Sequence, residues 1–312
     1  MYRTAVVLVS LLLLTAGWAG ADIFESFSGP STPTYWLIQG ADGINGNDPG
    51  VPMTDSDFFG HGGGYLRLTN PDQYERAAAF WTNDLFVGDY WTVEMEIRIG
   101  TTHNGTELTH PGPADGLALT WVDAGSIANT GQLLGGYGDW LGAPRGVNPG
   151  GGVGYVAGAD GYSFQFDVFQ NSGDLGYETT ELRRLSNWSA AGQLSHLSNT
   201  NFYLNDGWQR VRLSMNNGTL TFDYGWNGST YTNQQVFAVP NFDSFGDTGV
   251  YFGITAATAQ RREYHEVRNF RLNALLVPEP GTMALLLVGL GAGGAYLRRR
   301  RQPTCRCRAV PP

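Results

Sequence analysis

The run Asp167, Phe169, Asn171 and Asp174 gathers oxygen donors at the end of an apolar alternation. A strand that curls into a loop there can aim the Asp167 carboxylate, the Phe169 carbonyl and the Asn171 amide oxygen at one point. Asp174 and waters can then complete the roughly six to eight oxygens that a calcium ion takes. The competing reading has Asp167 capping a bulge and Asn171 turning the chain. Ala114-Asp115-Gly116 is a second acidic turn. Catalytic arrangements are scarce. Hydrolysis of a glycosidic bond needs two carboxyls flanking it, and Glu94 and Glu96 stand two apart on one polar strand face. No Gly-x-Ser-x-Gly elbow occurs. Both cysteines, Cys305 and Cys307, lie beyond Arg298–Arg301, which excludes a thiol nucleophile or cysteine-held zinc from the body of the chain.

The elements that must position these groups are strands. The chain has 312 residues with 13% aromatics, 15% charged residues and 44 glycines, enough to bury a large core between tight turns. Disorder and coiled coil are excluded, as is collagen, because glycine follows no three-residue repeat. In Trp91–Ile99 the residues Trp91, Val93, Met95, Ile97 and Ile99 share one face, and Tyr162, Phe164, Phe166 and Val168 repeat the pattern. Further strands are expected at Tyr65–Thr69, Ala77–Trp81, Leu117–Val122, Val211–Met215, Thr219–Tyr224, Val250–Ala256 and Glu266–Leu272, with a tight hairpin at Asn216-Asn217-Gly218. The fold class is all-β, a single antiparallel sandwich over residues 22–276. The Gly-rich loop Gly131–Gly152 predicts an elaborated rim.

Charge narrows the partners. Asp22 to Leu276 carries 12 arginines and 27 acids, a net charge of −15, with no lysine anywhere. Such a field repels phosphate backbones and attracts cations, so nucleic-acid binding is excluded.

Both ends read as targeting segments. Met1 to Ala21 has Arg3, an apolar stretch and Ala19-Gly20-Ala21, a signal peptide with the mature chain starting near Asp22. Val277-Pro278-Glu279-Pro280-Gly281-Thr282 precedes the mostly apolar Met283–Leu297 and then Arg298–Arg301. The arginines hold that end in the cytoplasm. This ordered triple over residues 277–302 resembles the PEP-CTERM sorting signal. The resemblance implies export, a transient anchor in the inner membrane and processing near Pro280 by an exosortase-type enzyme. A plain tail anchor is the alternative, and the tail 303–312 is unassigned.

Several pieces occur in order: Ala114-Asp115-Gly116-Leu117-Ala118-Leu119, Gly135-Gly136, Phe166-Asp167-Val168-Phe169-Gln170-Asn171, and Gly253-Ile254-Thr255-Ala256-Ala257-Thr258 leading to Glu263-Tyr264-His265-Glu266-Val267. The set resembles the L-type, legume-like lectins, whose fold is a concanavalin A-like jelly-roll β-sandwich. By that resemblance Asp115 accepts hydrogen bonds from two vicinal sugar hydroxyls after a non-proline cis bond from Ala114. Gly136, or its neighbour Gly135, offers a backbone N–H. Asn171 serves both calcium and sugar, the metal shell is Asp167, Phe169, Asn171 and Asp174, and the last loop, Ala259-Gln260-Arg261-Arg262, tunes specificity. Its two arginines suit acidic sugars. Tyr137, Trp140, Tyr155 and Phe169 are candidate stacking platforms.

The chain departs from the plant pattern at Gln165, where that pattern has a Glu, and at His196, which lies beyond the loop. Calcium alone, or no metal, is therefore expected, with no transition metal. The same sandwich serves laminarinase-type hydrolases with the signature Glu-x-Asp-x-x-Glu, but Gln165 and Gln170 put amides where both acids belong. An amide neither attacks as a carboxylate nor shuttles a proton. The expectation is a binder rather than an enzyme, acting on a polysaccharide or other glycan at the cell surface or in an exopolysaccharide matrix. The alternatives are a structural matrix or adhesion protein without sugar binding and a hydrolase with an unfamiliar carboxylate pair.

Overall fold

Two-residue alternation builds two antiparallel sheets. The computed structural model describes residues 20–27, 35–42, 53–54, 64–69, 74–82, 87–100, 102–103, 106–107, 115–136, 141–144, 146, 156–169, 179–187, 193–198, 207–226, 233–239, 249–258 and 263–276. The strands are β1 (Gly20–Glu25), β2 (Trp36–Asp42), β3 (Met53–Thr54), β4 (Leu66–Thr69), β5 (Glu75–Trp81), β6 (Val87–Gly100), β7 (Thr102–His103), β8 (Thr106–Glu107) and β9 (Gly116–Asp123). They continue with β10 (Gly161–Asp167), β11 (Thr179–Arg184), β12 (Gln193–Ser198), β13 (Gln209–Asn216), β14 (Thr219–Trp226), β15 (Asn233–Ala238), β16 (Val250–Ala257) and β17 (Tyr264–Leu276). One sheet has the order β15-β14-β13-β6-β17-β4-β3 with β1 also on β17, the other β12-β11-β10-β9-β16-β5-β2, and β7-β8 is a separate pair. All nine expected strands are present, most of them longer by one to six residues. The chain divides into two units, Ala19–Leu276 and the terminal segments Met1–Trp18 with Val277–Pro312. The described residues belong to the first.

Burial follows the alternation on β6: Trp91, Val93, Met95, Ile97 and Ile99 are buried, while Thr92, Glu94, Glu96 and Arg98 are partly exposed. Facing side chains from the two sheets interlock through aromatic edges. Trp91 meets Trp121 and Phe252 at 5.2 and 5.1 Å between ring centroids, and Phe164 meets Phe222 at 4.8 Å. Such tilted pairs add about 0.5–1.5 kcal/mol each beyond area burial. The hairpin between β13 and β14 turns on Asn217 (φ 47°) and Gly218 (φ 74°), both left-handed as its sequence demands.

The seven-stranded sheet differs from a one-sided sandwich wall. Every residue of β10 is buried, the polar Ser163, Gln165 and Asp167 included. Its outer face is covered: Ala78, Phe80, Val122, Leu133, Ala143 and Leu185 form a second apolar cluster, with Leu133 from the short 3-10 turn Thr130–Leu133 of the Gly-rich segment. The hydroxyls of Ser163 and Thr255 bond that of Thr120 at 3.2 and 3.3 Å on this face.

An ion pair closes one end of the β10–β11 hairpin. Arg184 donates to both carboxylate oxygens of Asp160, at 3.0 and 2.6 Å, and the Gly161 N–H donates at 2.9 Å. Burial alone would push the Asp160 carboxyl up, but the hydrogen bonds from Arg184, Gly161 and Ser186 hold it below the ordinary carboxylate value. A depressed carboxyl stabilises the fold above its unfolded pKa, and that stabilisation is lost as pH falls through the folded value. Asp160→Asn is expected to cost about 1 kcal/mol at neutral pH, a small figure because water reaches and screens the pair. The deficit should vanish in urea melts taken at successively lower pH; a deficit that persists at the acid end assigns the effect to packing.

Candidate functional site

Four strand ends meet at one end of the seven-stranded sheet. Asp167, closing β10, lies opposite Gly116, which opens β9. Gly116 lies opposite Ala257 at the end of β16, and Ala257 opposite Arg76 near the start of β5. Asp115 precedes Gly116, and its carbonyl accepts the Val168 N–H at 3.1 Å. The register thus brings the two expected acidic residues within one rung of each other, with Asp115 2% and Asp167 1% exposed.

Gly116 is what permits this approach. It sits at φ 130°, and a Cβ there would lie 2.1 Å from the Phe166 carbonyl oxygen. Across the sheet, Arg76 Nη1 donates to the Gly135 carbonyl, fixing the Gly-rich segment to the same end. Gly135 N–H donates to the Gly142 carbonyl at 2.7 Å, and Gly142 N–H to the Gly136 carbonyl at 3.0 Å. The Gly135 N–H is therefore committed to the chain's own turn, and of the two glycines Gly136 better fits the role of donor to a ligand.

Asp167 Oδ1 accepts the Phe169 N–H at 2.9 Å, so the carboxylate itself shapes the turn that carries the Phe169 carbonyl. A carboxylate oxygen with a second lone pair can cap this turn and still face a cation. The donors here are hard oxygens in a buried setting, which suits calcium. Among the described residues no group of three or more His, Cys, Asp or Glu side chains is arranged to hold a metal. Asn171 and Asp174, the other half of the expected shell, lie outside the described residues, as do Ala114, Ala259, Gln260, Arg261, Arg262, Tyr137, Trp140 and Tyr155. No cis peptide occurs among the described residues, and the Ala114–Asp115 bond falls at their boundary.

Gln165 shares the covered face with Asp167 and is fully buried. In register it stands opposite Glu181, which stands opposite His196 on β12. Glu181 is also fully buried and accepts from Arg183 Nε at 2.6 Å. Neither β11 nor β12 is among the strands expected from sequence, so this carboxylate beside Gln165 was not anticipated, nor was the role of Arg76. Both depend on which strands become neighbours, and no local pattern announces that.

Known proteins give two kinds of match. Residues 276–301 match the PEP-CTERM protein-sorting motif, so the chain carries a C-terminal sorting signal for export. The fold is that of the L-type lectins. Basic winged bean lectin with Tn-antigen superimposes with a TM-score of 0.59 at 16% identity, covering 83% of this chain and 99% of the lectin. The VIP36 exoplasmic/lumenal domain in its Ca2+/Man3GlcNAc-bound form gives 0.54 at 16% identity over 83% of this chain and 92% of the domain. Peanut lectin with a 9mer peptide gives 0.55 at 13% identity, covering 83% and 99%. No curated protein matches the sequence.

Proposed function

We propose that the chain is an exported carbohydrate-binding protein that grips neighbouring sugar hydroxyls at the strand ends around Asp115, beside a calcium ion. One observation carries this reading: the rung Asp167–Gly116–Ala257–Arg76 sets two buried carboxylates and the Gly135–Gly136 turn at the same end of one sheet. Asp115 accepts from two vicinal hydroxyls, the Gly136 backbone donates, and Asn171, Ala259 and Gln260 complete the contact. The Asp167 carboxylate, the Phe169 carbonyl, Asn171 and Asp174 would hold calcium, which when bound supplies a positive charge that orders the Asn171 amide. VIP36, with the same fold, takes Ca2+ together with Man3GlcNAc, which supports the reading.

The sugar is held rather than cleaved. Gln165 occupies the strand position where a hydrolase needs a carboxylate, and Glu181 opposite it is sealed from solvent and bonded to Arg183. A rim site buries little sugar, so copies presented together supply the avidity. Processing near Pro280 by an exosortase-type enzyme would follow transient anchoring in the inner membrane and deliver the sandwich to the cell surface or an exopolysaccharide matrix.

A glycan array probed with and without calcium tests this. Asp115→Ala and Asn171→Ala are each expected to weaken binding about 100-fold, the equivalent of losing two hydrogen bonds to a charged or metal-polarised group, and chelation should do the same. Binding indifferent to both substitutions would move the site elsewhere, and no binding to any glycan by the folded protein would leave a structural matrix role.

A further inference from the structure

The chain passes between the two sheets twice in the same place. Residues 70–74 lead from β4 to β5, and residues 258–263 lead from β16 back to β17. β4 pairs with β17 and β5 with β16, so both connections join the same two pairs of neighbouring strands. Buried groups bond them at both ends. On the seven-stranded side the Thr258 N–H donates to the Glu75 carbonyl at 2.8 Å, and the Glu75 N–H donates to Thr258 Oγ1 at 2.9 Å. On the eight-stranded side Thr69 Oγ1 donates to the Glu263 carbonyl at 3.1 Å and lies 2.6 Å from His265 Nδ1. His265 Nε2 in turn faces the Glu263 carboxylate at 3.7 Å, and both side chains are fully buried.

We infer that Thr69, His265 and Glu263, acting with Glu75 and Thr258, are positioning residues for glycan binding, an inference that rests on the carbohydrate reading above. The two bonded ends bracket the stretch that holds Ala259 and Gln260. Glu75 is also the immediate neighbour of Arg76, whose guanidinium holds Gly135. A displacement at Thr69 therefore has two routes toward the sugar site, through its hydrogen bond to Glu263 and along the chain to Glu75. The Thr69 hydroxyl is the hub: its proton goes to the Glu263 carbonyl, so its oxygen is left to accept from His265 Nδ1–H. Valine in its place matches the shape and removes both bonds. Serine keeps both.

The test uses the full-length protein and two independent readings. Hydrogen exchange without any glycan reports on the Glu75 and Thr258 amides. Thr69→Val is expected to speed both by about tenfold, the equivalent of one lost hydrogen bond, and Thr69→Ser to leave them unchanged, with the β13–β14 amides unaffected in either variant. Glycan affinity then follows the same order, weaker by about tenfold in Thr69→Val and restored in Thr69→Ser, at a temperature where both remain folded. Unchanged exchange in Thr69→Val would overturn the coupling between the two ends. Faster exchange with unchanged glycan affinity would overturn the positioning role. If the wild type binds no glycan, the carbohydrate reading fails while the exchange result still decides whether the crossings are coupled.

Discussion

Gly116→Ala is expected to lose about 3 kcal/mol or more of stability and all glycan binding. The left-handed backbone at φ 130° strains any side chain, and the added Cβ would meet the Phe166 carbonyl oxygen at 2.1 Å. That oxygen belongs to the neighbouring strand's backbone, which cannot rotate aside as a flexible side chain would. Relief requires β9 and β10 to part at the rung that places Asp115 against Val168. Gly158→Ala supplies the control: it too has a left-handed φ, 84°, but its Cβ would meet nothing nearer than the Ser126 carbonyl oxygen at 3.8 Å. It should cost about 1 kcal/mol, from backbone strain alone. Urea denaturation of the two variants side by side measures the difference; losses of equal size would deny the close approach its role.

Glu266→Gln is expected to cost about 3–5 kcal/mol. Glu266 is fully buried on the outer side of the eight-stranded sheet, with Arg67 on one carboxylate oxygen at 2.9 Å and Arg98 on the other. The guanidiniums are stacked as well as paired: Arg67 lies 4.7 Å from the Tyr264 ring centroid and Arg98 5.0 Å from that of Trp208. The amide keeps the volume but removes the negative charge that lies between the buried Arg67 and the partly buried Arg98 guanidiniums. Replacing Arg67, Glu266 and Arg98 together by apolar residues of similar size should recover most of the loss, since no charge is then stranded. Thermal melts of the single and triple variants decide it, and a triple variant no better than the single would put the cost in packing.

The strong alternations were legible because each carries its own signal. Trp91–Ile99 and Tyr162–Val168 place a large apolar residue at every second position, and β6 and β10 are where they should be. The remaining strands lack that signal. β1 (GADIFE) and β2 (WLIQGAD) set their apolar residues side by side rather than at every second position, β11 reads TTELRR, and β12 and β15 are edge strands that need only one good partner. Glu181 and Arg183 are buried on β11 because a second layer covers the sheet, which a two-layer reading could not foresee. At the site, residue types pointed to Asp115, Asp167 and the two glycines. Their meeting is a matter of register across β10, β9, β16 and β5, which spans distant parts of the chain. That Gly135 gives its N–H to Gly142 depends on a turn whose closing residue lies seven positions on.

β17 is flanked on one side by β6 along nearly its whole length, and on the other first by β4 and then by β1, whose Asp22 lies opposite Asn273. A pull at Leu276 directed along the axis of this strand would load its whole ladder. Its hydrogen bonds lie across the pull, so they are sheared together rather than unzipped one after another. The domain's resistance to being dragged from its C-terminal end is then a matter of the rate at which that whole ladder slips, and equilibrium stability says little about it. Bond removal on the β1 flank, as by Asp22→Ala against the Arg271 pair, acts on the strand that takes the load.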